Sequence, residues 1–237
     1  MNELNSGNPP EIVEVLHRTG YASLRQFNCE QSTLEVGRSL GNIVSVESLL
    51  PRSGIPTVQS LTPKHAAEAA SNQYSGSYGL GEFPLHTDLA HWARPPRYLI
   101  LRCRTGSSEV VTRLLSWHPV ISSMADADIQ RAIFRPRHMP ENRTYCLLRF
   151  PIAGQRAEFG YRWDELFLVP MNSAAEAIAK IMRNKAFDVT STANIILTNP
   201  GDTLIVDNWL TLHGRSPVSE SDSRRHIERA YLSRLFE

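Results

Sequence analysis

The chain is predicted to be mainly β with flanking helices, a sandwich or barrel of short strands with decorations. Two observations point to this class. Short apolar runs recur along most of the 237 residues, separated by clusters of Gly, Pro, Asn and Ser. Helical segments with a recognisable start and stop are few, and they lie between those runs.

A first helix starts near Pro10, whose fixed φ suits a first turn, and stops at Gly20. A strand follows over 21–27. Ser32 and Glu35 form a capping box that opens a second helix, closed by Gly41. Residues 50–81 are rich in Pro, Ser and Gly and read as loop with short strands. A loop of that length fits a compact fold only when it serves the active site. Strands are predicted over 98–104 and 112–115, followed by helical turns through Ile133. Further strands fall at 145–150 and 157–163. Ser173 and Glu176 make another capping box, opening a helix to about Lys185. The last strands are 194–198, 203–206 and 229–235. No repeat or linker divides the chain, so residues 1–237 are expected to form a single domain.

A formal net charge of +1 gives no electrostatic case for nucleic acid or an acidic membrane surface. The densest basic stretch, Arg131, Arg135, Arg137, His138 and Arg143, is either a solvated loop or a lid over an anionic substrate. Cys29, Cys103 and Cys146 are odd in number and lack metal-type spacing, which fits reduced thiols in the cytoplasm. The N-terminus lacks the pattern of a signal peptide, and no apolar run is long enough to cross a bilayer.

The chemistry centres on Phe83-Pro84-Leu85-His86-Thr87-Asp88 and a distant second histidine, His213, in Val206-Asp207-Asn208-Trp209-Leu210-Thr211-Leu212-His213-Gly214-Arg215. Two imidazoles and one carboxylate suit non-haem Fe(II) held on one face with the other face open to oxygen. On a strand, side chains at i and i+2 share a face, so His86 and Asp88 are expected to converge on one ion. An H-x-D motif alone is a weak signal, and its bland alternative is a solvated pair at a strand end. Context strengthens it. Pro200-Gly201-Asp202 is a tight turn into an apolar strand expected to end just before His213. Asp207 or Asn208 is a candidate partner for the second nitrogen of His213. The other histidines (His17, His65, His91, His118, His138, His226) have no ligand spacing.

With these motifs in order, the chain resembles the taurine/2-oxoglutarate dioxygenase superfamily, which includes gamma-butyrobetaine hydroxylase and the clavaminate-synthase-like oxygenases. The likeness begins at Gly20-Tyr21-Ala22-Ser23-Leu24-Arg25 and includes Asn72-Gln73-Tyr74-Ser75-Gly76-Ser77-Tyr78-Gly79. It closes with Arg224-Arg225-His226-Ile227-Glu228-Arg229-Ala230-Tyr231-Leu232. The resemblance implies a double-stranded β-helix, or jelly roll. It also implies His86, Asp88 and His213 as iron ligands, with 2-oxoglutarate and O2 as co-substrates. The presence of Asp88 favours hydroxylation, since halogenating members lack this carboxylate.

The family's arginine for the distal carboxylate of 2-oxoglutarate matches Arg225, with Arg224 as competitor. Period-two alternation lets only one of the two face inward. Thr112 matches the threonine that assists that carboxylate, although the usual preceding glycine pair is absent. Arg229 matches the arginine that holds a substrate's acid group. Glu82 lies where the taurine branch places a substrate-contacting residue, and there it would meet an amine. Asn72 and Tyr74 are expected to support the same loop.

The expected function is hydroxylation of an aliphatic carbon of a small, carboxylate-bearing, amino-acid-like substrate, with release of succinate and CO2. The substrate is either free or carrier-tethered, and the same residues would serve desaturation, cyclisation or epimerisation. The rival is a non-catalytic jelly-roll module that binds a metal and a small ligand. A buried inward arginine at position 225 argues against the rival.

Overall fold

The computed structural model describes residues 3–4, 8–49, 54–137, 145–152, 158–184 and 192–236. The chain opens with β1 (Glu3–Leu4), α1 (Pro9–Thr19), β2 (Tyr21–Leu24), α2 (Thr33–Leu40) and β3 (Gly41–Ile43). Next come α3 (Val46–Leu49), β4 (Gln59–Leu61), α4 (Tyr74–Tyr78), β5 (Phe83–His86), β6 (Tyr98–Thr105) and β7 (Val111–Ser116). The middle holds α5 (Trp117–Ser122), α6 (Asp126–Arg131), β8 (Ile133–Pro136), β9 (Cys146–Leu147), β10 (Arg149–Pro151) and β11 (Phe159–Tyr161). β12 (Leu168–Pro170), α7 (Ser173–Met182), β13 (Thr192–Ile196), β14 (Thr203–Asp207), β15 (Thr211–Arg215) and β16 (His226–Leu235) complete it.

Local signals set the helix ends. Asn8 caps α1 by accepting from the Glu11 amide, and Gly20 ends it in the left-handed region at φ 80°. Ser32 and Glu35 form the expected capping box of α2. The start of α7 differs from expectation: Asn172, not Ser173, is the cap, accepting from the Ala175 amide at 2.9 Å. The predicted strand start at residue 157, the helix end at Lys185, and His138 and Arg143 of the basic stretch lie outside the described residues.

Two large sheets face each other. The larger has the order β1-β2-β14-β6-β16-β3, with β4 also on β16, and the smaller has the order β13-β7-β15-β5. Leu99, Leu101, Cys103, Leu204, Val206, Ile227 and Tyr231 of the first meet Leu114, Ile195 and Leu197 of the smaller sheet's side in one apolar cluster. Alternate residues point the other way. Ala22, Leu24, Ile100, Ile205, Ala230 and Leu232 pack under α1 and α2. Leu115 and Leu212, on the far face of the smaller sheet, join a third cluster with α5, α6 and α7. Strand periodicity thus separates three apolar layers, and the site lies between the two sheets.

Among the described residues, no helix is long and apolar enough to cross a membrane. All three cysteines are free, with Cys103 and Cys146 buried and Cys29 exposed.

Candidate active site

β5 delivers His86 as its last residue, and β15 carries His213 within the strand, directly opposite His86 in antiparallel register. The sequence expectation ended the strand before His213. Instead β14 stops at Asp207, and a turn starts a new strand. On its other side β15 pairs with β7, with His213 opposite Leu114 and Arg215 opposite Thr112. Cross-strand partners share a face, so Thr112, His213, Arg215 and His86 all belong to the face that bears Leu114. A bulge separates His213 from Arg215, and a Cβ at Gly214 would meet the Phe83 carbonyl oxygen at 2.7 Å. Glycine there lets the two histidine strands approach.

Asp88 reaches the histidines differently from expectation. β5 has already ended at His86, so strand alternation does not place Asp88. The Thr87 amide donates to the Trp163 carbonyl at 2.7 Å, and Thr87 Oγ1 accepts from the Trp163 amide at 3.2 Å. Asn208 then clamps the Asp88 backbone. Its Oδ1 accepts from the Asp88 amide at 2.9 Å, and its Nδ2 donates to the carbonyls of Asp88 and Pro96 at 3.0 and 2.9 Å.

The result is a buried cluster of one ligand atom each from His86, Asp88 and His213, all within 4.8 Å of one another. Asp88 Oδ1 lies 3.4 Å from His86 Nε2 and 3.7 Å from His213 Nε2. His86 Nδ1 faces the Pro84 carbonyl at 2.9 Å, which leaves Nε2 as its free donor. His213 Nδ1 is buried and has no partner among the described residues. Neither expected neighbour serves it. Asp207 pairs with Arg97 at 3.3 Å and accepts from the Trp209 amide, while Asn208 holds Asp88. Burial works against the charge of Asp88, but Arg229 and the two histidines hold its carboxyl well below the ordinary range. Burial and the neighbouring His86 keep His213 below its usual value. Burial lowers His86 too, but Asp88 and Asp164 outweigh it and hold His86 above its usual value. Two imidazoles and one ionised carboxylate, the donors a divalent metal draws to itself as it displaces protons, fit iron.

Arg225 is buried and Arg224 is exposed. Among the described residues none hydrogen-bonds the Arg225 side chain, and its buried Nε has no partner. Burial pulls its guanidinium below the ordinary value, with Cys103 and Asp222 opposing. Arg215 stands close enough that burial and Arg225 bring it down to about 10. A buried cation without an acid is costly unless an anion completes it. The dicarboxylate 2-oxoglutarate has the chemistry to do so. Thr112 is buried on the inner face.

The two expected substrate residues have other partners. Arg229 donates to Asp88 Oδ1 and Oδ2 at 3.2 and 3.0 Å, and its second arm donates to Gln59 Oε1 at 2.6 Å. Only its Nε lacks a partner. Glu82 accepts from Arg113 at 2.6 Å. Arg113 alternates with Thr112, so this pair lies on the face away from the histidines. In the basic stretch, Arg137 donates to the carbonyls of Leu166 and Glu165.

Tyr231 and Asp164, beside the cluster, carried no recognised signal, whereas Tyr74 and Asn72 were expected as loop supports. Tyr231 donates to Asp88 Oδ2 at 3.0 Å. The Tyr74 ring stacks on His86 with centroids 4.3 Å apart, among Tyr78, Phe83 and Phe167. Asn72 is exposed. Asp164 is buried beside them, and burial pushes its carboxyl up to about 6, with His86 and the Phe167 amide opposing. The position of Asn208, within the His213 motif, was the one clue available to sequence.

The family model for taurine catabolism dioxygenase TauD, TfdA matches residues 1–135 and 195–231, most of the chain and every residue of the cluster. The chain belongs to the TauD, TfdA family. By family it is an enzyme, a non-haem iron and 2-oxoglutarate-dependent oxygenase. Solved structures agree with the fold. Asparagine oxygenase matches with a TM-score of 0.70 at 18% identity, over 94% of this chain and 77% of that one. The non-haem iron oxygenase OrfP, solved with Fe and α-ketoglutaric acid, matches with a TM-score of 0.69 at 19% identity, covering 94% and 78%. A taurine dioxygenase from Burkholderia xenovorans gives 0.65 at 20% identity, covering 98% and 83%.

Proposed function

We propose that this TauD-family chain is an Fe(II)- and 2-oxoglutarate-dependent dioxygenase that hydroxylates an aliphatic carbon of a small, carboxylate-bearing, amino-acid-like substrate, releasing succinate and CO2. The observation that carries the proposal is the convergence of His86, Asp88 and His213 within 4.8 Å between the two sheets. In this proposal those three residues hold iron, and Arg225 with Thr112 receives the distal carboxylate of 2-oxoglutarate. When bound, iron activates O2 and couples the breakdown of 2-oxoglutarate to substrate oxidation.

The protein's own part is geometric. Asn208 fixes the Asp88 backbone, Arg229 holds both its oxygens, Tyr231 holds the second, and the buried setting of both histidines excludes water. Arg229 therefore acts first on the carboxylate ligand, and only its Nε–H and one N–H of its second arm remain for a substrate acid. Two facing sheets support a double-stranded β-helix over residues 1–237 as a single domain. Free cysteines support a cytoplasmic setting. Asparagine oxygenase, solved with 3-hydroxyasparagine and succinate, lends the amino-acid class its support.

Anaerobic addition of Fe(II) and 2-oxoglutarate tests the proposal. A weak visible charge-transfer band is expected, because the keto acid chelates iron directly, and His86→Ala or His213→Ala should abolish it. Binding of 2-oxoglutarate that is equally tight without a divalent metal would overturn the assignment.

A further inference from the structure

Asp164 is a carboxylate with 1% exposure; no Lys or Arg among the described residues pairs with it, and the charge that most offsets its burial is that of His86. One of its oxygens, Oδ1, accepts from the amides of Leu166 and Phe167 at 2.8 and 2.9 Å. Those bonds shape a turn, and a neutral side chain with one carbonyl oxygen would make them as well. They do not account for a buried negative charge, which is costly without a positive partner. Other buried acids near the site are compensated: Asp88 by Arg229, and Asp207 by Arg97.

The surroundings point to what is missing. Tyr74 lies between Asp164 and the metal cluster, with its ring stacked on His86 and its hydroxyl near Asp164. That hydroxyl is buried and is directed at the Asp164 carboxylate, which is its polar neighbour among the described residues, without well-formed hydrogen-bond geometry. Phe167 packs edge-on against Tyr74, and Phe83 is tilted against it. A carboxylate, a phenol oxygen beside it and aromatic ring faces next to one histidine are what a cationic nitrogen requires. Glu82, the acid expected from sequence to meet an amine, is already neutralised by Arg113.

We infer that Asp164, with Tyr74, forms the subsite for a positively charged nitrogen of the substrate, an ammonium or guanidinium held beside the His86 edge of the metal cluster. This rests on the oxygenase reading and narrows its substrate to the cationic members of the amino-acid-like class. Asp164 falls between the two segments that match the family model, so the shared family pattern does not assign it.

The test uses the Fe(II)- and 2-oxoglutarate-loaded protein under anaerobic conditions, with the visible band as readout. L-Ornithine and 5-aminopentanoate are the probes, against hexanoate, which lacks any amine. The amine-bearing probes should perturb the band saturably and hexanoate should not. Asp164→Asn keeps the turn acceptor while removing the charge, and should weaken the amine probes by roughly tenfold or more. Tyr74→Phe keeps the ring stack and should weaken them less. Equal binding by wild type and Asp164→Asn overturns the inference, as does the absence of any response to both amines. If the band itself is missing, the oxygenase reading fails separately. Thermal-shift titration of the metal-free protein with the same probes then decides the Asp164 subsite, where stabilisation lost in Asp164→Asn supports it and no difference overturns it.

Discussion

Arg229 donates to both carboxylate oxygens of Asp88, at 3.2 and 3.0 Å, across 141 residues of sequence. Oδ2 also accepts from Tyr231, while Oδ1 faces the two histidine nitrogens. The arginine thus touches both oxygens, and Tyr231 adds a second hold on the oxygen turned away from the histidines. Partners of this kind typically contribute ten- to a hundred-fold to metal affinity. Arg229→Ala should therefore weaken divalent metal binding by roughly that factor, read by competition titration with Co(II). Arg229→Lys should recover part of it, because a point charge lacks the fork. Unchanged metal affinity with lost substrate binding would return Arg229 to the substrate.

Arg225 and Arg224 are neighbours with opposite exposure, which makes them a matched pair for the co-substrate. Arg225→Ala would leave a buried carboxylate of 2-oxoglutarate without its partner, costing about 3–5 kcal/mol, or roughly two to nearly four orders of magnitude in affinity. Arg224→Ala should change little. Equilibrium titration of 2-oxoglutarate in the presence of metal distinguishes them, and a reversed order would reassign the co-substrate arginine.

Asn208 makes three hydrogen bonds to backbone groups on either side of the Asp88 turn. Asn208→Leu keeps the volume but leaves buried donors and acceptors unpaired, at about 1–3 kcal/mol each. A lower urea midpoint is expected, together with weaker metal binding. Asn208→Asp keeps the acceptor and loses the donor, so it should fall between the two. Loss of stability with full metal affinity would make Asn208 a fold residue alone.

The strand alternation of β16 was legible in outline because it is local. Ala230 and Leu232 turn out to the helices while Ile227 and Tyr231 turn in, as period two requires. The caps at Ser32 and Gly20 were legible for the same reason, each being settled within one turn of chain. The α7 cap was missed by one residue because Asn172 and Ser173 are both good caps, and only backbone geometry separates them. The end of β14 at Asp207 matches the expected strand over 203–206, but β15 over Thr211–Arg215 was not expected, because five residues around one histidine carry too short a pattern to mark a strand.

By itself the sequence determined the inventory: two histidines and an aspartate in ordered motifs, an arginine pair before the last strand, and strands whose apolar faces could sandwich a site. Residue chemistry and short-range spacing are enough for that. Only the tertiary structure decided the pairings. Glu82 reached Arg113 at a separation of 31 residues, Asp88 reached Asn208 at 120 and Arg229 at 141, and Asp164 was left without a Lys or Arg partner among the described residues. Charges select partners by distance in space and by the burial that removes water's competition. Both are set when the two sheets close on one another, and neither is encoded in the few residues flanking each charge.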